Sequence, residues 1–173
     1  KMNNEELIAP NDYNIAMEVE RYVKDPTKKA LIWKNENGES KEITYSQLMS
    51  NVNKIGNALL ENGLRPGDKV IIMIPRLIDA YEAYLACLKT GLIIIPSSEM
   101  LKTKDLQYRI THGEVSGVIS YYPYVGQYTE IKEYQHLKKF VVGKEADGWL
   151  HLDSLKDTAS DELKMAETSK DDI

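Results

Sequence analysis

From Lys69 to Val142 the chain alternates short apolar runs with segments of helical period, and this rhythm admits few architectures. Lys69-Val70-Ile71-Ile72-Met73-Ile74 and Leu92-Ile93-Ile94-Ile95 are apolar on successive residues. Both faces of such strands need cover, as in a parallel sheet between helical layers. Between them Leu77, Ala80, Tyr81, Tyr84, Leu85 and Leu88 form one stripe of a helix closed by Gly91. Strand, helix and strand make a crossover unit, which is right-handed in nearly all cases and makes the two strands parallel neighbours. The pattern repeats with a helix over Thr103 to His112, Leu106 and Ile110 inward, and a strand over Gly117 to Ser120. A helix near Tyr128 to Leu137 then leads to a fourth strand, Lys139 to Val142.

The flanks are simpler. Ile15, Val19, Tyr22 and Val23 predict a short amphipathic helix over Asn14 to Lys24, stopped by Asp25-Pro26. Ala30-Leu31-Ile32-Trp33 and Glu42-Ile43-Thr44-Tyr45 flank Asn37-Gly38, a pair suited to the positive backbone angles of a tight turn, so a β-hairpin is expected. Thr44 stands three residues before Gln47, the spacing of a reciprocal helix cap. The helix it opens carries Leu48, Val52, Ile55 and Leu59 on one face and ends at Gly63. Beyond Asp147 apolar residues thin out and acids dominate, so a linker or solvated edge is expected, with one docked turn at Leu150, Leu152 and Leu155.

A sheet of this kind holds ligands beyond the carboxyl ends of its strands, yet no phosphate-gripping loop follows any of them. The closest glycine pairs are Gly63/Gly67, Gly113/Gly117 and Gly143/Gly148, and none makes a P-loop or a dinucleotide fingerprint. Ile74-Pro75-Arg76, Ile95-Pro96-Ser97-Ser98 and Ser120-Tyr121-Tyr122 stand at the strand ends instead. They carry no aspartate, which opposes a phospho-receiver. His112, His136 and His151 lack metal-ligand spacing, so no metal site is expected.

Among the bases, Arg65, Lys69, Arg76, Lys89, Lys102, Lys104 and Arg109 are interspersed with acids and read mostly as solvated surface. Arg76 and Arg109 lie nearest the presumed ligand edge. Tyr121, Tyr122, Tyr124, Tyr128 and Tyr134 cluster within a short span and read as packing rather than a stacking platform. A net charge of -5 opposes nucleic acid as a partner. The single cysteine, Cys87, reads as a small buried hydrophobe and fits a reducing compartment. No apolar run approaches the ~18 residues of a membrane span, and Lys1 to Glu6 lacks the apolar stretch of a secretory signal. A soluble, cytoplasmic protein is therefore expected.

Three stretches carry a family resemblance. Ile43-Thr44-Tyr45-Ser46-Gln47-Leu48 resembles the first core motif of the AMP-forming adenylating enzymes, which include acyl-CoA synthetases, peptide-synthetase adenylation domains and luciferases. Leu88-Lys89-Thr90-Gly91-Leu92-Ile93-Ile94-Ile95-Pro96 resembles the second, with threonine where alanine is common. Gly63-Leu64-Arg65-Pro66-Gly67-Asp68-Lys69-Val70 is similar to the connecting turn and strand. Met73 to Arg76, Pro96 to Leu101 and Asp105 to Ile110 look most like short- and medium-chain acyl-CoA synthetases.

The resemblance implies an α/β fold with a mainly parallel sheet flanked by helices and an N-terminal β-hairpin, part of the large N-terminal domain of the adenylate-forming fold. It implies residues 1–147 as the N-terminal part of an AMP-binding domain, and 148–173 as an acidic linker toward a phosphate-loop strand that Thr168 to Ile173 resembles the approach to. It also implies an acid-thiol ligase that activates acetate or a branched or medium-chain acid with ATP and Mg and passes the acyl group to coenzyme A. Arg109 matches a position where such enzymes place an arginine near the coenzyme A nucleotide phosphate; a surface salt bridge is its plain alternative. No catalytic residue, metal or bound cofactor is expected in the 173 residues themselves, which should be inactive alone and prone to self-association. The competing readings are a stand-alone α/β ligand-binding module and a purely structural interaction domain.

Overall fold

A computed structural model describes residues 8–172; the Lys1 to Glu6 stretch lies outside them. Its centre is a five-stranded, wholly parallel sheet in the order β4-β3-β5-β6-β7, formed by β3 (Lys69–Met73), β4 (Ile93–Pro96), β5 (Val115–Tyr121), β6 (Lys138–Val142) and β7 (Leu150–His151). A separate antiparallel hairpin joins β1 (Lys29–Lys34) to β2 (Ser40–Thr44). The helices are α1 (Ala16–Glu20), α2 (Tyr45–Glu61), α3 (Ile78–Lys89), α4 (Thr103–His112) and α5 (Leu152–Thr158).

The continuous apolar character of β3 has the expected cause. Val70 and Ile72 point into one core with Leu48, Val52, Ile55 and Leu59 of α2, and with Ala83, Ala86 and Cys87 of α3. Ile71 and Met73 point into another, with Leu106 and Ile110 of α4. Successive side chains alternate between faces, so burial of all four means two cores, one on each side of the sheet.

Helix ends follow local chemistry. At α2 the Gln47 amide donates to Thr44 Oγ1 (3.2 Å) and the Thr44 amide to Gln47 Oε1 (3.0 Å), closing the reciprocal cap. Gly91 closes α3 with φ +73°, letting the Leu92 amide reach back to the Cys87 carbonyl at 2.8 Å.

Several expectations change. The first helix is only Ala16–Glu20, and turns replace its second half. Of Asn37-Gly38, only Gly38 takes a positive angle, because Asn35 Oδ1 accepts from the Asn37 and Glu39 amides and widens the loop to residues 35–39. On α3 the buried face holds Ala80, Glu82, Ala83, Ala86, Cys87 and Lys89, while Tyr81 faces solvent. Ala80, Ala83, Ala86 and Cys87 allow α3 to approach α2, and Glu82 and Lys89 are buried there against Asn51 and Asn53 of that helix. The expected helix near Tyr128 to Leu137 is two 3-10 turns, Tyr122–Tyr128 and Lys132–His136. Pro123, Gly126 and the aromatic residues there disfavour a longer α-helix. Packing also continues across Asp147: the single turn expected at Leu150 to Leu155 is strand β7, paired with β6, followed by α5 against α2.

Candidate functional site

The strand order defines where a ligand would sit. The chain leaves β3 through α3 to β4 on one side, then crosses through α4 on the other face to β5 on the far side of β3. By this topology the connections after β3 and β5 run to opposite faces, and their carboxyl ends mark the switch point, the place where such sheets bind ligands in a crevice.

Loop 96–101 borders that crevice. The Ser97 amide donates to the Ile72 carbonyl at 3.0 Å, tying the loop to the end of β3. Arg109, from the last turn of α4, reaches back to it, donating through Nη1 to the Pro96 carbonyl (3.1 Å) and Ser97 Oγ (3.4 Å). Gln127 Nε2 donates to the Glu99 carbonyl at 3.0 Å and fastens the same loop to the 3-10 segment after β5. Arg109 enters none of the ion pairs among the described residues, so the alternative of a surface salt bridge is not formed there. Its fork is held at one nitrogen, with the guanidinium partly exposed beside the strand ends.

Arg76, the other arginine singled out, is exposed after β3; its carbonyl accepts from Trp33 Nε1 at 2.8 Å, so the hairpin clasps that strand end. The structure thus brings Arg109 to the end of β4 but builds no shared contact between the two arginines. Ser97 and Gln127 were not singled out from the sequence. Their role depends on contacts 12 and 28 residues apart, for which linear spacing gives no signal.

The tyrosines pack. Tyr128 is fully buried, meets Trp149 edge-on at 5.5 Å between ring centroids, and donates to Met73 Sδ at 3.7 Å. Burial pushes its hydroxyl pKa up, so it stays protonated. Tyr121 meets Tyr124 at 5.8 Å in the same edge-on manner. Cys87 is buried, and desolvation pushes its thiol up to about 12, which removes it as a nucleophile at neutral pH. Among the described residues no three His, Cys, Asp or Glu side chains gather as a metal site.

A groove of about 750 Å³ lies elsewhere, along the open edge of β4 and the amino ends of the strands. Ile93, Ile94, Gly67 and Gly91 line it on one side, and Ala166 to Lys170 on another.

Residues 19–173 match the family model described as AMP-binding enzyme. The chain belongs to the AMP-binding enzyme family. It is 41% identical over 172 residues to the uncharacterized acyl-CoA ligase YtcI of Bacillus subtilis, covering 99% of this chain and 32% of that protein. It is 31% identical over 175 residues to human mitochondrial acyl-coenzyme A synthetase ACSM3, covering 95% of this chain and 30% of that one. In fold it superposes on the anthranilate CoA ligase AuaEII, solved with anthranoyl-AMP, with a TM-score of 0.87 at 22% identity, over 99% of this chain and 33% of that one. The chain therefore spans about a third of the length of the relatives it matches. The parallel sheet, flanking helices and hairpin are the α/β fold of these AMP-binding enzymes.

Proposed function

We propose that this chain is the scaffold third of an AMP-forming acyl-CoA ligase, which joins a carboxylic acid to ATP as an acyl adenylate and passes the acyl group to coenzyme A. The observation that carries the proposal is the family match over residues 19–173, joined to relatives named as acyl-CoA ligases over nearly the whole chain. A fold neighbour solved with an acyl adenylate fits the same chemistry. The acid is proposed to be short, acetate included, or a branched or medium-chain acid, in line with the loop sequences at Met73 to Arg76 and Pro96 to Leu101. The enzyme is proposed to be cytoplasmic, in keeping with its lone reduced thiol; among the described residues no helix is long and apolar enough to cross a membrane.

Adenylyl transfer depends on donors and charge fixed around the phosphates, with Mg supplying positive charge there. None of the glycine clusters in this sequence can provide that grip. Residues 148–173 are proposed to lead toward the segment that does. What this chain contributes is position: two packed cores fix β3, β4 and β5, and their loops form one wall of the crevice. Arg109 is proposed to meet a phosphate of the coenzyme A nucleotide. A guanidinium preoriented by Pro96 and Ser97, and free of carboxylates among the described residues, suits an anion.

The test is acid-dependent pyrophosphate exchange by the full-length protein over acids of graded length, followed by thioester formation. Exchange with short or medium acids supports the reading, and absence of exchange with every acid overturns it. Arg109→Ala in that protein should raise KM for coenzyme A about tenfold, as expected for a lost charge-assisted contact of ~1.5 kcal/mol, and leave exchange unchanged. An unaltered KM would remove Arg109 from the thiol site.

A further inference from the structure

Lys89 is an expected surface base that the structure buries, its side chain 3% exposed at the end of α3. An ammonium out of water is costly unless its donors are used. It has three, and they meet Glu20 of α1, Asn53 Oδ1 at 2.8 Å and Met49 Sδ at 3.8 Å on α2. Because Asn53 Oδ1 faces the ammonium, its Nδ2 must face the other way, and there it donates to the Asp161 carbonyl at 2.8 Å. The Lys89 carbonyl accepts from the Ala166 amide at 2.8 Å. Lys89 thus holds the 158–172 segment directly at Ala166 and, through Asn53, at Asp161.

The rest of that segment is fixed in the same manner. One turn after Asn53, Asn57 Nδ2 donates to the Ser160 and Glu162 carbonyls at 2.8 and 2.9 Å. A Cβ on Gly56, between them, would lie 2.4 Å from Leu163 Cδ2, so the leucine fills space that only glycine leaves. Thr168 Oγ1 donates to the Tyr13 carbonyl at 2.7 Å, and the Lys170 amide to the Asn11 carbonyl at 3.1 Å. The segment has no helix or strand of its own past Thr158, and these contacts all come from parts of the chain outside it.

We propose that Lys89 is a positioning residue, which through Asn53 sets the path of residues 158–172 across α2 and α3 and so aims the phosphate-handling part of the enzyme. The aiming role rests on the ligase reading above. The path-setting role does not. Replacing the ammonium frees the Asn53 amide to rotate, and the Asp161 carbonyl loses its fixed donor.

Limited trypsin digestion of the full-length protein tests the path. Lys89→Met should speed cleavage after Lys164 at least tenfold, with the melting temperature lowered too little to account for it. If Lys89→Met does not fold, Asn53→Ala, which keeps the Lys89–Glu20 pair, should give the same local pattern. Unchanged cleavage after Lys164, or a rise that only tracks the fall in melting temperature, would overturn the proposal. Lys89→Met should also raise KM for ATP severalfold while KM for the acid stays constant, and any other pattern would refute the aiming role. A wild-type protein without pyrophosphate-exchange activity would defeat the ligase reading while the digestion still decided the path.

Discussion

β3 and the 158–172 segment are both fixed in place, the first by what it is made of and the second by what it lies against. Val70, Ile71, Ile72 and Met73 are at most 1% exposed and shared between two cores. Residues 158–172 carry scattered apolar side chains, and their backbone is held by Asn53, Asn57, Lys89 and Tyr13. Apolar burial of the first kind is cooperative with the whole fold, whereas polar tethers of the second kind open locally. The chain thus combines a rigid wall with a strap whose course depends on a few side chains.

The largest expected effect breaks the wall. Ile72→Ala should cost about 2–5 kcal/mol, read as a lower urea midpoint with exchange accelerated in every strand. If only the 158–172 amides responded, the contrast between the regions would be wrong.

Much of the wall was legible beforehand because its physics is local in sequence. The apolar runs at 69–74 and 92–95, the Thr44-Gln47 cap and the helix-ending Gly63 and Gly91 each state their role within a few residues. The strap was not, since its fixing groups are asparagines more than a hundred residues upstream, and a side-chain amide reads the same on a solvated helix face. Lys89 misled for a related reason: a lysine at a helix end reads as solvated until three partners from two other helices are seen around it. At the candidate site the sequence offered Arg109 by resemblance alone, and its contacts with Pro96 and Ser97 emerge only when α4 folds back over loop 96–101.

A middle-sized effect probes the join between the two regions. Gly91 has φ +73°, and a Cβ there would stand 3.2 Å from Ala166 Cβ and 3.4 Å from Pro66 Cβ. Gly91→Ala should cost about 1–2 kcal/mol from the left-handed backbone alone. It should also loosen the strap, so that protease cleavage within 158–170 rises more than the melting temperature falls. Cleavage and melting that moved in proportion would mean that wall and strap are one cooperative unit.

The smallest effect sharpens the picture of the buried charges. Burial lifts the Glu82 carboxyl above its ordinary value, partly offset by Lys156 and the Asn51 amide. The folded chain then holds the Glu82 proton more tightly than the unfolded chain. This contribution to stability is complete below about pH 4.5, the ordinary carboxylate value, and is lost as pH rises through the lifted one. Glu82→Gln keeps an acceptor for Asn51 and should flatten that part of the stability curve, measured by thermal melts from pH 4 to 7. A slope identical to the parent chain would show that the carboxyl does not titrate there.

The most direct measurement of the central claim is carboxylate-dependent exchange of labelled pyrophosphate into ATP by the purified 173-residue chain, run beside the full-length protein. A scaffold without a phosphate grip predicts no label above background from the chain at any acid tested, with exchange in the longer protein. Exchange by the chain alone that scales with its concentration and vanishes without acid would contradict the account.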